Sequence, residues 1–151
     1  MRPLNRVLAA VALASVTALP SFAATATSLE EAKTLSAETG LPILMKVGTE
    51  WCASCKAFDK ASTTNAEFVA SLGERVVLLR VDAEKGTGVD VARAHDVSAY
   101  PTFILANSEG EMIDRWMGFD KEKKFLKKLS ASVADPTTVE EKLARFRKNP
   151  T

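Results

Sequence analysis

The sequence contains few of the residues that build metal centres and disulfide frameworks. Its 151 residues include two cysteines and one histidine, His95. A structural zinc site takes four such ligands, so the sequence offers no evident metal site. Two cysteines can form one intramolecular bridge, which excludes a small scaffold held by several disulfides. The chain length and the 46% share of hydrophobic residues instead predict one compact domain.

The chain also lacks an apolar run long enough to span a bilayer. Its N-terminal run, residues 7–19, is shorter than a transmembrane helix requires. Arg2 and Arg6 precede this run, and Pro20 and the small residues Ser21 and Ala23 follow it. This pattern is typical of a secretory signal peptide, which we expect over residues 1–23 with cleavage after Ala23. The alternative is an uncleaved signal anchor, against which the length of the run argues. We therefore expect an exported protein.

Neither sign of charge predominates. Twenty Lys and Arg stand against 19 Asp and Glu, and loss of Arg2 and Arg6 with the leader would leave 18 against 19. A near-neutral exported chain with no broad basic excess is a poor candidate for nucleic-acid binding. We expect no nucleic-acid partner.

Both cysteines lie in the segment Trp51-Cys52-Ala53-Ser54-Cys55-Lys56. An apolar run at residues 43–47 precedes it and helical spacing follows it, which predicts a strand leading into a helix. At a helix N-terminus the free N–H groups and the helix dipole stabilise a thiolate at Cys52. Cys55, three residues later, lies on the same helix face. A bridge between them closes a very small loop and adds little stability, so the pair favours redox chemistry over a structural role.

The rest of the chain alternates helical and strand patterns. Ser28 and Glu31 fit a capping box that begins a helix ending near Gly40, and Thr64 and Glu67 fit a second one after a break beyond Ala61. The other expected strands are residues 76–81, 102–106 and 111–117. We expect the folded domain at residues 24–134. We expect a C-terminal helical extension at residues 135–151, in which an amphipathic helix at residues 138–148 follows Asp135 and Pro136.

Three motifs together resemble the thioredoxin superfamily, in particular exported bacterial thioredoxin-like proteins. They are Glu50 to Lys56 after a strand, Tyr100-Pro101-Thr102 before a strand, and Gly118 after the last strand. The resemblance implies an α/β thioredoxin fold, with a four-stranded mixed central sheet flanked by helices. The strand order would be 76–81, 43–47, 102–106, 111–117, with extra helices at both termini.

The resemblance also implies the roles of the site residues. Cys52 would be the exposed nucleophile and Cys55 the partly buried resolving thiol. Tyr100-Pro101 would be a cis peptide facing the cysteines. Trp51, Tyr100 and Pro101 would bind the substrate. The redox-active disulfide would serve without a further cofactor or metal.

Three further residues are expected to tune the redox potential. Ala53 and Ser54, between the cysteines, replace both the histidine of strongly oxidising relatives and the Gly-Pro of typical thioredoxins. Lys46 stands on a strand predicted to be buried, where the family typically has a buried acid. Its ammonium would either stabilise a nearby thiolate or extend along the core to reach water.

The resulting hypothesis is a periplasmic thiol-disulfide oxidoreductase, acting as a monomer. We expect it to reduce protein disulfides with electrons from a membrane partner. The alternatives within the class are a disulfide oxidase and an isomerase. An alternative from another class is a non-catalytic metal-carrying or binding module.

Overall fold

The computed structural model describes residues 24–148, and the leader predicted over residues 1–23 lies outside the described residues. The strands are β1 (Thr25–Ala26), β2 (Ile43–Gly48), β3 (Val77–Asp82), β4 (Thr102–Ala106) and β5 (Met112–Met117). The helices are α1 (Leu29–Thr39), α2 (Ala53–Thr64), α3 (Ala66–Gly73), α4 (Thr87–Ala94), α5 (Glu122–Ala134) and α6 (Val139–Lys148). Among these described helices, none has the length and apolar character needed to cross a membrane.

The strands form one mixed sheet in the order β1-β3-β2-β4-β5. β1, β3 and β2 run parallel, and β4 pairs antiparallel with both β2 and β5. The predicted thioredoxin fold and the order of its four main strands are confirmed. β1 is an addition at the edge of the sheet, and its two residues are too few to show an alternating pattern in the sequence.

Alternation along β2 divides the core between the two faces of the sheet. Ile43, Met45 and Val47 pack on one face with residues of α1 and α4. Leu44 points to the other face, which is filled largely by aromatic rings from α2, α3, β4 and α5. Successive side chains of a strand point to opposite faces, so Lys46 lies on the same face as Leu44. A charged residue is thus placed on the side of the sheet that carries α2.

The first capping prediction is confirmed and the second is wrong. Ser28 caps α1, where its hydroxyl accepts a hydrogen bond from the Glu31 N–H, and Gly40 ends that helix with a φ of 72°. α2 continues to Thr64, past the predicted break at Ala61. Asn65 rather than Thr64 caps α3, because its side-chain oxygen accepts from the Phe68 N–H at 3.2 Å.

The amphipathic helix predicted near the C-terminus is present as α6. The Thr138 hydroxyl accepts a hydrogen bond from the Glu141 N–H, and the Glu141 carboxylate accepts from the Thr138 N–H. Lys142 Nζ reaches the carbonyl oxygen of Ile113 in β5 at 3.1 Å. α6 is thereby tied to the edge of the sheet. The domain division at residue 135 stays a prediction.

Candidate active site

Cys52 and Cys55 form a disulfide across the start of α2, with their Cα atoms 5.2 Å apart. Cys52 is the N-cap residue, and its Sγ accepts a hydrogen bond from the backbone N–H of Cys55 at 3.1 Å. The helix therefore directs a free amide at the sulfur that would carry negative charge after reduction. The positive end of the helix dipole acts in the same direction.

The two sulfur-bearing residues differ in accessibility. Cys52 is 7% exposed and Cys55 is 1% exposed. Cys52 is thus the more accessible of the two, but the expectation of an exposed Cys52 is wrong for the disulfide form. Its sulfur turns inward to bond Cys55 and to meet the Cys55 amide.

Gly48, the last residue of β2, leaves the space that the Cys55 sulfur occupies. A Cβ placed on Gly48 would lie 2.7 Å from Cys55 Sγ and 3.4 Å from Lys46 Nζ. The first distance is far below a normal contact, so a side chain here would have to displace the sulfur or the strand. The same two distances limit the separation of Lys46 Nζ and Cys55 Sγ to at most about 6 Å.

Trp51 forms a projecting rim beside Cys52. Trp51 is 67% exposed, and its indole N–H donates to the Glu84 carboxylate at 3.1 Å. An ion pair between Glu50 and Lys85 joins the same two loops. The loop after β3 therefore holds the indole in position, although no sequence motif connects it to Trp51.

Tyr100 and Pro101 lie next to this rim, and the peptide bond between them is cis, as expected. The rings of Trp51 and Tyr100 meet edge to face, with centroids 5.9 Å apart. The carbonyl oxygen of Pro101 accepts a hydrogen bond from Gly118 N–H at 2.8 Å. The three predicted substrate-binding residues are thus brought together on the side of Trp51, along with the loop after β5.

Ser54 connects the cysteine turn to that same loop. Its hydroxyl donates to the carbonyl oxygen of Phe119 at 2.7 Å. Beside it lies a groove of about 460 Å³ with a largely apolar lining. Its lining includes Trp116, Met117, Phe119, Phe125, Lys121 and Lys124. Ser54 therefore forms one wall of a surface able to receive apolar side chains next to the disulfide.

Lys46 is largely buried, and its ammonium meets a carboxylate. Its side chain is 7% exposed, and Nζ lies 2.8 Å from Oδ2 of Asp59. Burial of a lysine is tolerated where a carboxylate partner compensates its charge. The position of Asp59 in α2 makes this possible, because it faces β2 across the sheet-helix interface.

Asp59 is the site residue that the sequence did not reveal. Its Oδ1 accepts from Arg80 Nε at 3.2 Å, so one carboxylate joins two cations. Arg80 also donates to the Ser62 hydroxyl at 2.7 Å. The sequence signal that could have pointed to Asp59 is its spacing from Cys55. The two residues are four apart and therefore lie on one face of α2.

A disulfide at a helix N-terminus, beside a cis-proline loop on this sheet, defines a thiol-disulfide oxidoreductase of the thioredoxin fold. Residues 23–108 match the family described as Thioredoxin-like. The chain belongs to this family.

Similar proteins agree with this membership. The thiol:disulfide interchange protein DsbD of Klebsiella pneumoniae is 28% identical over 128 aligned positions, which cover 74% of this chain and 21% of that protein. The Ralstonia nicotianae protein of the same name is 29% identical, covering 73% of this chain and 19% of that protein. The chain thus spans about a fifth of the length of these relatives.

Solved structures give the same fold. A putative disulphide-isomerase from Bacteroides thetaiotaomicron superposes with a TM-score of 0.62 at 28% identity, covering 72% of this chain and 89% of that one. A thioredoxin from Thermus thermophilus superposes with a TM-score of 0.60 at 24% identity, covering 70% of this chain and 84% of that one. The latter similarity concerns the fold alone.

Proposed function

We propose that this protein is a periplasmic reductase of protein disulfides that works through Cys52 and Cys55. The observation that carries thiol-disulfide exchange at this pair is the Cys55 amide donating to Cys52 Sγ at the N-terminus of α2. That arrangement stabilises a thiolate on the residue nearer the surface. Cys55, almost fully buried, is placed to react with Cys52 rather than with a second protein.

The reaction proceeds in two exchanges from the reduced pair. The Cys52 thiolate attacks one sulfur of a substrate disulfide, forming a mixed disulfide and releasing the other substrate sulfur as a thiolate that takes up a proton. Cys55 then loses its proton and attacks Cys52 Sγ. This closes the Cys52–Cys55 disulfide and frees the second substrate thiolate. Two electrons pass from the cysteine pair to the substrate.

Substrate binding is assigned to the rim formed by Trp51, Tyr100 and Pro101. The exposed indole offers an apolar surface beside Cys52, and the backbone at Tyr100 can pair with an extended segment around the substrate disulfide. The groove next to Ser54 extends this surface on the side of the β5 to α5 loop. The substrate is therefore a protein segment, bound largely through backbone and apolar contacts.

Reduction in the periplasm needs a continuous supply of electrons. Each turnover leaves the pair as a disulfide in a compartment that is kept oxidising. The electrons must come from across the inner membrane, so we propose a membrane electron-transfer partner. The leader pattern at Arg2 and Arg6 supports export, and the Ala53-Ser54 dipeptide lacks the histidine of strongly oxidising relatives. We expect the protein to act as a monomer.

The direction of electron flow is tested by the equilibrium redox potential. The protein is equilibrated with glutathione and dithiothreitol redox series, and its thiols are counted by alkylation and mass. A potential near the thioredoxin value of about −270 mV is expected, whereas a value near the strong-oxidant range of about −120 mV would overturn the reductase proposal. The Cys52→Ser/Cys55→Ser variant provides the baseline without a redox transition.

A further inference from the structure

A partly buried ion pair lies beside the resolving cysteine. Lys46 Nζ is 2.8 Å from Asp59 Oδ2, and the lysine side chain is 7% exposed. The separations around Gly48 place this ammonium within about 6 Å of Cys55 Sγ. At that range a full charge acts strongly on an ionising sulfur that is almost fully buried.

The carboxylate that neutralises the ammonium is divided between two cations. Asp59 Oδ2 faces Lys46 and Oδ1 faces Arg80, at 2.8 Å and 3.2 Å. Arg80 is held in turn by the Ser62 hydroxyl. Asp59 therefore neutralises the Lys46 ammonium only in part. The remaining positive charge acts on Cys55 Sγ.

The two members of the pair differ in their contact with solvent. A cleft of about 220 Å³ is lined by Lys46, Gly48, Asp59, Arg80 and other residues. Asp59 is 37% exposed on its side chain, against 7% for Lys46. Solvent therefore screens the carboxylate more than the ammonium. Glu50 and Asp82 also line this cleft, but both pair with Lys85, and the carboxylate that pairs with Lys46 is that of Asp59.

We propose that Asp59 is a positioning residue that sets the redox potential of the Cys52–Cys55 pair by holding the Lys46 ammonium. The proposal rests on the proposed function. In the disulfide form Asp59 binds the ammonium. After reduction, or in a mixed disulfide on Cys52, the Cys55 sulfur competes for the same ammonium. Stabilising the reduced form makes the pair more oxidising, so Lys46 raises the potential and Asp59 lowers it.

Two single variants test the opposing roles. Asp59→Asn releases the ammonium toward Cys55 and should shift the equilibrium with glutathione about tenfold toward the reduced protein, a rise of about 30 mV. Lys46→Met should shift it in the opposite direction by a similar factor. Asp90→Asn, which removes an exposed carboxylate of α4 paired to Arg93, is the matched control and should leave the potential unchanged.

The double variant separates an effect through Lys46 from a direct effect of the carboxylate. If Asp59 acts by holding the ammonium, Asp59→Asn should move the potential much less in the Lys46→Met background than in the wild type. Equal shifts in the two backgrounds would overturn the proposal, as would shifts of the same sign for the two single variants. A role limited to stability would lower the unfolding midpoint and leave the potential where it is.

Arg80→Gln keeps the test decisive if Asp59→Asn does not fold. Without Arg80, the Asp59 carboxylate pairs with Lys46 alone and neutralises its ammonium more fully. The ammonium then stabilises the Cys55 thiolate less, so the redox potential should fall. An unchanged or raised potential in this variant would contradict the proposal. These outcomes are distinct from failure of the proposed function, in which the wild type itself would show an oxidising potential or no thiol-disulfide equilibrium at all.

Discussion

The Cα of Gly48 faces the sulfur of Cys55 so closely that a Cβ would lie 2.7 Å from Sγ. The end of β2 and the first turn of α2 thus meet with only hydrogen atoms between the glycine and the disulfide. Glycine is needed here for close approach rather than for an unusual backbone conformation. The strand fixes the depth at which the buried sulfur lies.

Replacing Gly48 with alanine should therefore strain the disulfide form. We expect Gly48→Ala to reduce the free energy of unfolding by about 1–3 kcal/mol, the usual cost of overpacking. The measurement is chemical denaturation of the oxidised protein. In a Cys55→Ala background, where the sulfur is absent, the same substitution should cost clearly less. An equal cost in both backgrounds would show that the Cys55 sulfur is not the source of the strain.

The hydrogen bond between Trp51 and Glu84 should affect substrate binding. Glu84→Ala releases the indole, and we expect the insulin concentration for half-maximal reduction to rise roughly two- to fivefold. The redox potential should stay constant because the sulfurs are untouched. Glu84→Gln, which keeps an oxygen acceptor for the indole N–H, is the matched control and should behave like the wild type. Equal losses in the two variants would argue against this hydrogen bond.

His95 should make stability depend on pH near neutrality. Burial lowers the pKa of His95 and Arg115 lowers it further, while Asp96 opposes them. The folded chain therefore favours the neutral imidazole more than the unfolded chain does. Its contribution to stability is present above the ordinary pKa of about 6.5 and is lost as the pH falls through the lowered value.

The check on His95 is the difference in thermal midpoint between the wild type and His95→Gln from pH 8 to pH 5. The wild type should lose stability relative to the variant as the pH falls. A relative gain on acidification would contradict the lowered pKa. Arg115 donates to the carbonyl oxygen of His95 at 2.7 Å, so the variant leaves that backbone contact in place.

Features encoded by neighbouring residues were predictable from the sequence. The Ser28 cap and the Cys52 and Cys55 pair depend on helix spacing alone, and both are found where they were expected. The prediction that Thr64 caps α3 was wrong for two reasons. Asn65, the next residue, offers a competing side-chain oxygen, and α2 continues about one turn beyond the predicted break. Local patterns thus identify a helix start but locate it only within a residue or two.

Features that join distant segments were not predictable. Nothing near Trp51 indicates that Glu84, 33 residues later, binds its indole. The burial of Lys46 followed from its strand, but its partner lies on α2 and the competing Arg80 on β3. Which charges meet depends on the packing of α2 over the sheet, and that packing is decided by the aromatic core rather than by the charged residues themselves.

The most direct test of the central claim is reduction of insulin disulfides by the wild type, Cys52→Ser and Cys55→Ser. We expect turnover by the wild type only. Cys55→Ser should accumulate a mixed disulfide with insulin through Cys52, detected by mass and reversed by dithiothreitol. Equal insulin reduction by the wild type and Cys52→Ser would contradict the account and leave a binding or metal-carrying module in its place.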